Sequence, residues 1–145
     1  DLYSNIEPRF LDSVAIYEQF LEKGTVNKIR TGIASSMSNK YFLSVKSERS
    51  SVAKLGINVL AGVIDSGYHG EIMVMVVPLV KDILITSEVD EVEEFDEIIH
   101  YPYNKAVAQG VLLPVPDVIV EEVTYDELLS KKTERGVGGF GSTEK

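Results

Sequence analysis

Short runs of apolar and β-branched residues, each closed by a polar or glycine-containing break, recur along most of this chain. They fall at residues 26–33, 41–45, 57–63, 71–80, 82–85, 107–114 and 118–123. Segments of that length and spacing predict strands, and strands in that number predict a sandwich or barrel. Ile72, Met73, Val74, Met75, Val76 and Val77 alternate little in polarity, so their strand is expected to be covered on both faces. Two stretches break the pattern. Residues 8–22 place Phe10, Leu11, Val14, Tyr17, Phe20 and Leu21 at helical spacing, with Pro8 suited to a first turn and Gly24 to a stop. A helix is expected there. Thr124-Tyr125-Asp126-Glu127 matches a capping box and predicts a second, short helix. No internal repeat is visible.

Composition narrows the class. The chain has 145 residues, 44% of them hydrophobic, which is enough for one domain with a real core. Its net charge is −9 and it lacks the Lys/Arg cluster that a phosphate backbone demands, so nucleic-acid binding is not expected. Without Cys it has neither disulfides nor thiolate metal ligands. Its longest apolar run, from Ile72, contains Pro78 and is too short to cross a bilayer. The expectation is a soluble, intracellular protein, cytoplasmic or nuclear, with no membrane partner. The chain begins at Asp1 rather than Met, which is consistent with a trimmed or processed chain.

The end of the chain carries the densest chemistry. Gly136, Gly138, Gly139 and Gly141 surround Phe140, with Arg135 before them and Ser142 and Thr143 after. Glycine lets backbone N–H groups approach a ligand closely, and successive N–H groups form an anion-binding concavity. Arg adds a planar cationic fork for phosphate, and Phe a face on which a base can stack. A disordered terminus is the alternative reading of the same composition. The dinucleotide fingerprint and the phosphate-binding loop are both excluded, because each must open a helix and only four residues follow Gly141.

Two further groups lie inside the chain. Arg49-Ser50-Ser51 joins a guanidinium to two hydroxyls, either a phosphate-contacting set or an ordinary polar turn. Between 61 and 70 an apolar run ends at Asp65 and enters a turn holding Tyr68 and flanked by glycines. A carboxylate at a strand end can activate a water, and a tyrosine just beyond can pack on a sugar. A turn-forming Asp and a half-buried packing Tyr are the alternatives. Seven acids and no base lie between Glu88 and Glu97, a composition that predicts a solvated hairpin or loop rather than a calcium loop.

Taken in order, these residues resemble the five motifs of the trimeric all-β dUTPases, the deoxyuridine triphosphate nucleotidohydrolases. Asp1-Leu2-Tyr3-Ser4 resembles the end of the first motif, and Arg49-Ser50-Ser51 the second. The segment from Gly62 through Val63-Ile64-Asp65-Ser66-Gly67-Tyr68-His69 to Gly70 is similar to the third, Gly-Val-Ile-Asp-x-Asp-Tyr-x-Gly. Ala108-Gln109 resembles part of the fourth, and residues 135–143 the fifth. Thr31-Gly32-Ile33-Ala34 is a lesser similarity.

The resemblance implies an all-β distorted jelly roll (a β-clip) with one or two short helices, assembled as a homotrimer with shared active sites. It implies a β domain over residues 1–134 and a mobile arm over 135–145 that closes on the site. The implied reaction is hydrolysis of dUTP to dUMP and pyrophosphate, with Mg²⁺ held by the substrate's phosphates and waters and Asp1 a candidate to reach it through water. In that scheme Asp65 deprotonates the water that attacks the α-phosphorus. Tyr68 packs on the deoxyribose and excludes a 2′-hydroxyl. Arg49, Ser50 and Gln109 contact phosphates, with Ser51 beside them in the second motif. Arg135, Ser142 and Thr143 hold the outer phosphates, with Gly141 among the substrate-binding residues. Phe140 stacks on the uracil, which is read largely by backbone from Val59 to Gly62.

The departures matter as much. Gly67 stands where the third motif has a second Asp, Glu48 where Pro or Gly precedes the Arg, and Ala106 where the fourth motif has an Arg. Glu144 stands where Gly is common. Residues 8–22 and 88–97 read as insertions. Two other functions remain in view: a sister dCTP deaminase, which needs a Glu that the strand after the third motif lacks, and a nucleotide-binding interaction protein acting through the acidic segment.

Overall fold

The computed structural model describes residues 1–46, 50–133 and 136, and for Ser50 and Ser51 only the backbone. In chain order the strands are β1 (Arg9–Leu11), β2 (Val14–Ile16), β3 (Glu18–Leu21), β4 (Asn27–Arg30) and β5 (Tyr41–Lys46). The short helix α1 (Ser50–Lys54) follows, then β6 (Ile57–Leu60), β7 (Val63–Ile64), β8 (Met73–Pro78) and β9 (Ile83–Thr86). The last elements are β10 (Glu93–Phe95), β11 (Ile98–Pro102), β12 (Gln109–Pro114) and α2 (Tyr125–Ser130). The all-β class holds.

Two three-stranded sheets position the site. One has the order β4-β8-β6 and the other β12-β5-β7, all antiparallel. A four-stranded sheet, β10-β11-β9-β3, contains a parallel pairing, β11 on β9. Strand β8 is central in its sheet. Val74, Val76 and Pro78 are buried, and Met73, Met75 and Val77 on its other face are half-buried. That matches the near-continuous apolar run expected of a strand covered on two sides. Around it pack Leu21, Ile29, Val52, Ile83, Ile85 and Tyr101, each no more than 1% exposed. The Tyr101 hydroxyl is buried as well and donates to the Ala106 carbonyl at 2.7 Å, so the core holds a large ring without orphaning its polar end.

The helix expected over 8–22 does not form. Those residues make β1, β2 and β3 instead, with β1 and β2 joined in a hairpin at Asp12-Ser13. Both turn residues have positive φ, 47° and 69°, the signature of a tight two-residue turn. The apolar spacing misled because most of that stripe is not buried. Phe10 is 71% exposed and Val14 62%, while Ile16 and Leu21 face the core. The strand expected over 118–123 is also absent. Ile119 and Val120 are exposed and belong to no element. The acidic segment does form a hairpin: Glu93 and Glu94 pair with His100 and Ile99 across a turn at Asp96-Glu97, φ 52° and 65°.

Contacts divide the chain into a unit from Asp1 to Val115 and a second from Pro116 onward. Within the second, the expected capping box is present. The Thr124 hydroxyl accepts from the Glu127 N–H at 3.3 Å, and the Glu127 carboxylate accepts from the Thr124 N–H at 2.7 Å. The Thr124 N–H and then its hydroxyl hold the Glu127 carboxyl below its usual range.

Candidate functional site

The third-motif segment switches sheets. Strand β6 pairs with β8, but β7, two residues later, pairs with β5 through Leu43↔Ile64 and Ser44↔Val63. The crossing is made at Ala61, whose φ is 49°, and Gly62. There the two backbones nearly touch. The Gly62 carbonyl accepts from the Val45 N–H at 2.6 Å, and a Cβ on Gly62 would lie 2.4 Å from the Val45 oxygen. Only glycine fits.

Beyond β7 the chain turns tightly, with the Tyr68 N–H donating to the Asp65 carbonyl at 3.0 Å. The Tyr68 ring folds back over Gly70, where an added Cβ would meet its hydroxyl at 2.6 Å. That hydroxyl donates to the Glu71 carbonyl at 2.9 Å. The ring is thereby fixed while 44% exposed. An open cleft of about 220 Å³ is lined by Val63, Ile64, Asp65, Tyr68, Glu71 and Met73. Two acidic residues, Asp65 and Glu71, one aromatic face and an apolar floor therefore meet where a strand ends. The alternatives for Asp65 and Tyr68 hold only in part: Asp65 does close a turn through its carbonyl, yet both residues also line the cleft.

Glu71 was not singled out from the sequence, where it is one acid after a glycine. In the structure it is a tie. Its carboxylate accepts from Arg30 Nε at 3.0 Å and from the Gly32 N–H at 2.9 Å. Beside it the Thr31 hydroxyl donates to the Ile72 carbonyl at 2.6 Å. The Gly32 N–H, then the Arg30 guanidinium, hold the Glu71 carboxyl below its ordinary range against partial desolvation. A carboxylate depressed in this way contributes stability above its unfolded pKa, and loses that contribution as pH falls through the folded value. Glu71→Gln is therefore expected to be less stable than wild type at pH 7. The gap should close as pH drops through the range below about 4.5. Urea midpoints at pH 7, 5, 4 and 3 check this; a gap constant with pH would deny the tie.

The remaining expected site residues divide by place. Val59 lies on β6 opposite Val76, and Gly62 at the crossing. Gln109 begins β12 and is exposed, opposite Lys46 on β5 rather than in the Asp65 cleft. Ser50 and Ser51 open α1, so the polar turn considered for them is the first turn of a helix. Arg49, Arg135, Phe140, Gly141, Ser142 and Thr143 lie outside the described residues. Among the described residues no three His, Asp or Glu side chains converge as a metal site, and no helix is long and apolar enough to cross a membrane.

The family model described as dUTPase matches residues 10–90. A deoxyuridine 5′-triphosphate nucleotidohydrolase of Nautilia profundicola is 31% identical, covering 99% of this chain and 89% of its own. That of Alkaliphilus metalliredigens is 34% identical, covering 92% and 81%. Among solved structures, the Staphylococcus bacteriophage 80alpha dUTPase with dUpNHpp has a TM-score of 0.63 at 21% identity, covering 97% of this chain and 92% of its own. A mutant dUTPase from phage phi11 of S. aureus, solved with a coordinated structural Mg(II) ion, has a TM-score of 0.56 at 19% identity, covering 86% and 92%. This chain belongs to the dUTPase family.

Proposed function

We propose that this protein is a dUTP diphosphatase, hydrolysing dUTP to dUMP and pyrophosphate. The observation that carries the reading is the cleft in which Asp65 and the fixed ring of Tyr68 face one space at the end of β7. Asp65 takes the proton of the attacking water, a role open to a carboxylate that no described cation pairs. Tyr68 lies against the deoxyribose, where a 2′-hydroxyl would collide. Backbone groups from Val59 to Gly62, held rigid by the crossing, read the uracil. Arg49, Ser50, Ser51 and Gln109 bind phosphates.

Arg135, Phe140, Gly141, Ser142 and Thr143 belong to an arm over 135–145 that closes over the nucleotide and excludes water. Mg²⁺, carried on the substrate's phosphates, would neutralise charge there. The donors present suit that arrangement, since Glu71 is already committed to Arg30 and Gly32. A cleft of about 220 Å³ is small for a nucleotide on its own, against roughly 300–1,000 Å³ for most ligand pockets. Assembly as a homotrimer, with neighbouring copies completing each site, accounts for the difference. The deciding experiment measures pyrophosphate release with Mg²⁺ from dUTP, dTTP, dCTP and UTP side by side. Release from dUTP alone is expected. Ammonia released from dCTP, or no turnover of any of the four, would overturn the reading.

A further inference from the structure

Resting on that reading, we propose that Glu71, anchored by Arg30, is a positioning residue that sets the angle of the Tyr68 ring and with it the discrimination between deoxyribose and ribose. A chain of contacts makes the link. The Tyr68 hydroxyl donates to the Glu71 carbonyl at 2.9 Å. That carbonyl shares a planar trans peptide unit with the Ile72 N–H, which points the opposite way and donates to the Ile33 carbonyl at 2.8 Å. The peptide between Glu71 and Ile72 is therefore held between Tyr68 on one side and the segment after β4 on the other.

The Glu71 side chain fastens the same residue a second time. Its carboxylate accepts from the Gly32 N–H at 2.9 Å and from Arg30 Nε at 3.0 Å. Arg30 is itself fixed on β4, opposite Met73 on β8. Residues 30–33 thus hold Glu71 through both its side chain and its peptide. Tyr68 is 44% exposed, so packing alone leaves its ring room to tilt. The hydroxyl is the far end of that ring, and the carbonyl that receives it governs the tilt. A sugar lying on the ring face clears or meets a 2′-hydroxyl according to that angle. Arg30 has a second effect. Glu71 lines the cleft together with Asp65, and an unanswered carboxylate there would repel a triphosphate. The Arg30 guanidinium answers that charge. Since dUTP and UTP carry the same charge, this effect falls on both alike, and ring position is left to distinguish them.

The test is the ratio of kcat/KM for dUTP to that for UTP, measured with Mg²⁺ in the wild type and in single and double variants. Glu71→Ala is expected to lower the ratio about 3- to 10-fold, the span of one neutral hydrogen bond. Glu71→Gln should keep most of it, because the amide oxygen can still accept from the Gly32 N–H. Tyr68→Phe removes the hydroxyl and should lower the ratio by a similar factor. The double variant Glu71→Ala/Tyr68→Phe should be no worse than the worse single, since both act through one contact. Arg30→Met should fall between wild type and Glu71→Ala, and it decides the matter if Glu71→Ala does not fold. An unchanged ratio in Glu71→Ala, or in Arg30→Met where that variant decides, would overturn the assignment while dUTP hydrolysis stands. Losses that multiply in the double variant would do the same. A wild-type protein that does not hydrolyse dUTP would sink the activity reading and this assignment together.

Discussion

Asp65→Asn lowers turnover of dUTP by about 10²–10⁴-fold while leaving affinity for dUpNHpp within a few-fold, the range expected when a general base is removed. The substitution keeps the side chain's shape. It also keeps the turn, because the Tyr68 N–H donates to the Asp65 carbonyl and not to its carboxylate. The cleft and the Tyr68 ring, held independently by Gly70 and the Glu71 carbonyl, should therefore persist. Only the capacity to take a proton is lost. A kcat defect without a binding defect is the signature of a group that acts in the transition state alone. Single-turnover pyrophosphate release, set beside calorimetric affinity, separates the two. Unchanged turnover would remove Asp65 from the role of base and leave it as a turn residue.

Much of this architecture is legible in the sequence, for reasons that differ by element. Strand β8 announces itself because a run of six β-branched and apolar residues has few other fates. The α2 capping box is legible because its two hydrogen bonds are local, three residues apart. The 8–22 segment fails because periodicity reports spacing and not burial. Phe10 and Phe20 fit a helical stripe, yet the structure exposes both, and the Asp12-Ser13 turn decides the outcome. That turn has a signal, two short polar residues that tolerate positive φ, but a weaker one than Asn-Gly. At the site, Asp65 and Tyr68 are legible since their motif is contiguous. Glu71 is not. It gains its meaning from a residue far away in sequence, Arg30, and only the pairing of β4 with β8 brings the two together.

Gly62→Ala should cost about 3 kcal/mol or more of stability, at the upper end of what overpacking usually does. The new Cβ would sit 2.4 Å from the Val45 oxygen, which is backbone within β5 and has no rotamer to change. Relief would require β5 and β7 to part, breaking the 2.6 Å hydrogen bond from the Val45 N–H to the Gly62 carbonyl. The neighbouring residue offers no slack, since Ala61 already holds a φ of 49°, a conformation costly for a residue with a side chain. Gly67 is the matched control. A Cβ there meets nothing within 4 Å and its φ is not positive, so Gly67→Ala should stay within about 0.5 kcal/mol of wild type. Urea unfolding of the two variants is a direct comparison, and equal midpoints would mean that the crossing is not closed as tightly as the geometry requires. The prediction also ties fold to function. The backbone that cannot accept a methyl group at Gly62 is the one proposed to read uracil, so what makes the crossing rigid also fixes the donors and acceptors presented to the base. Partial unfolding confined to this hairpin should therefore abolish dUTP selectivity before it abolishes the rest of the fold.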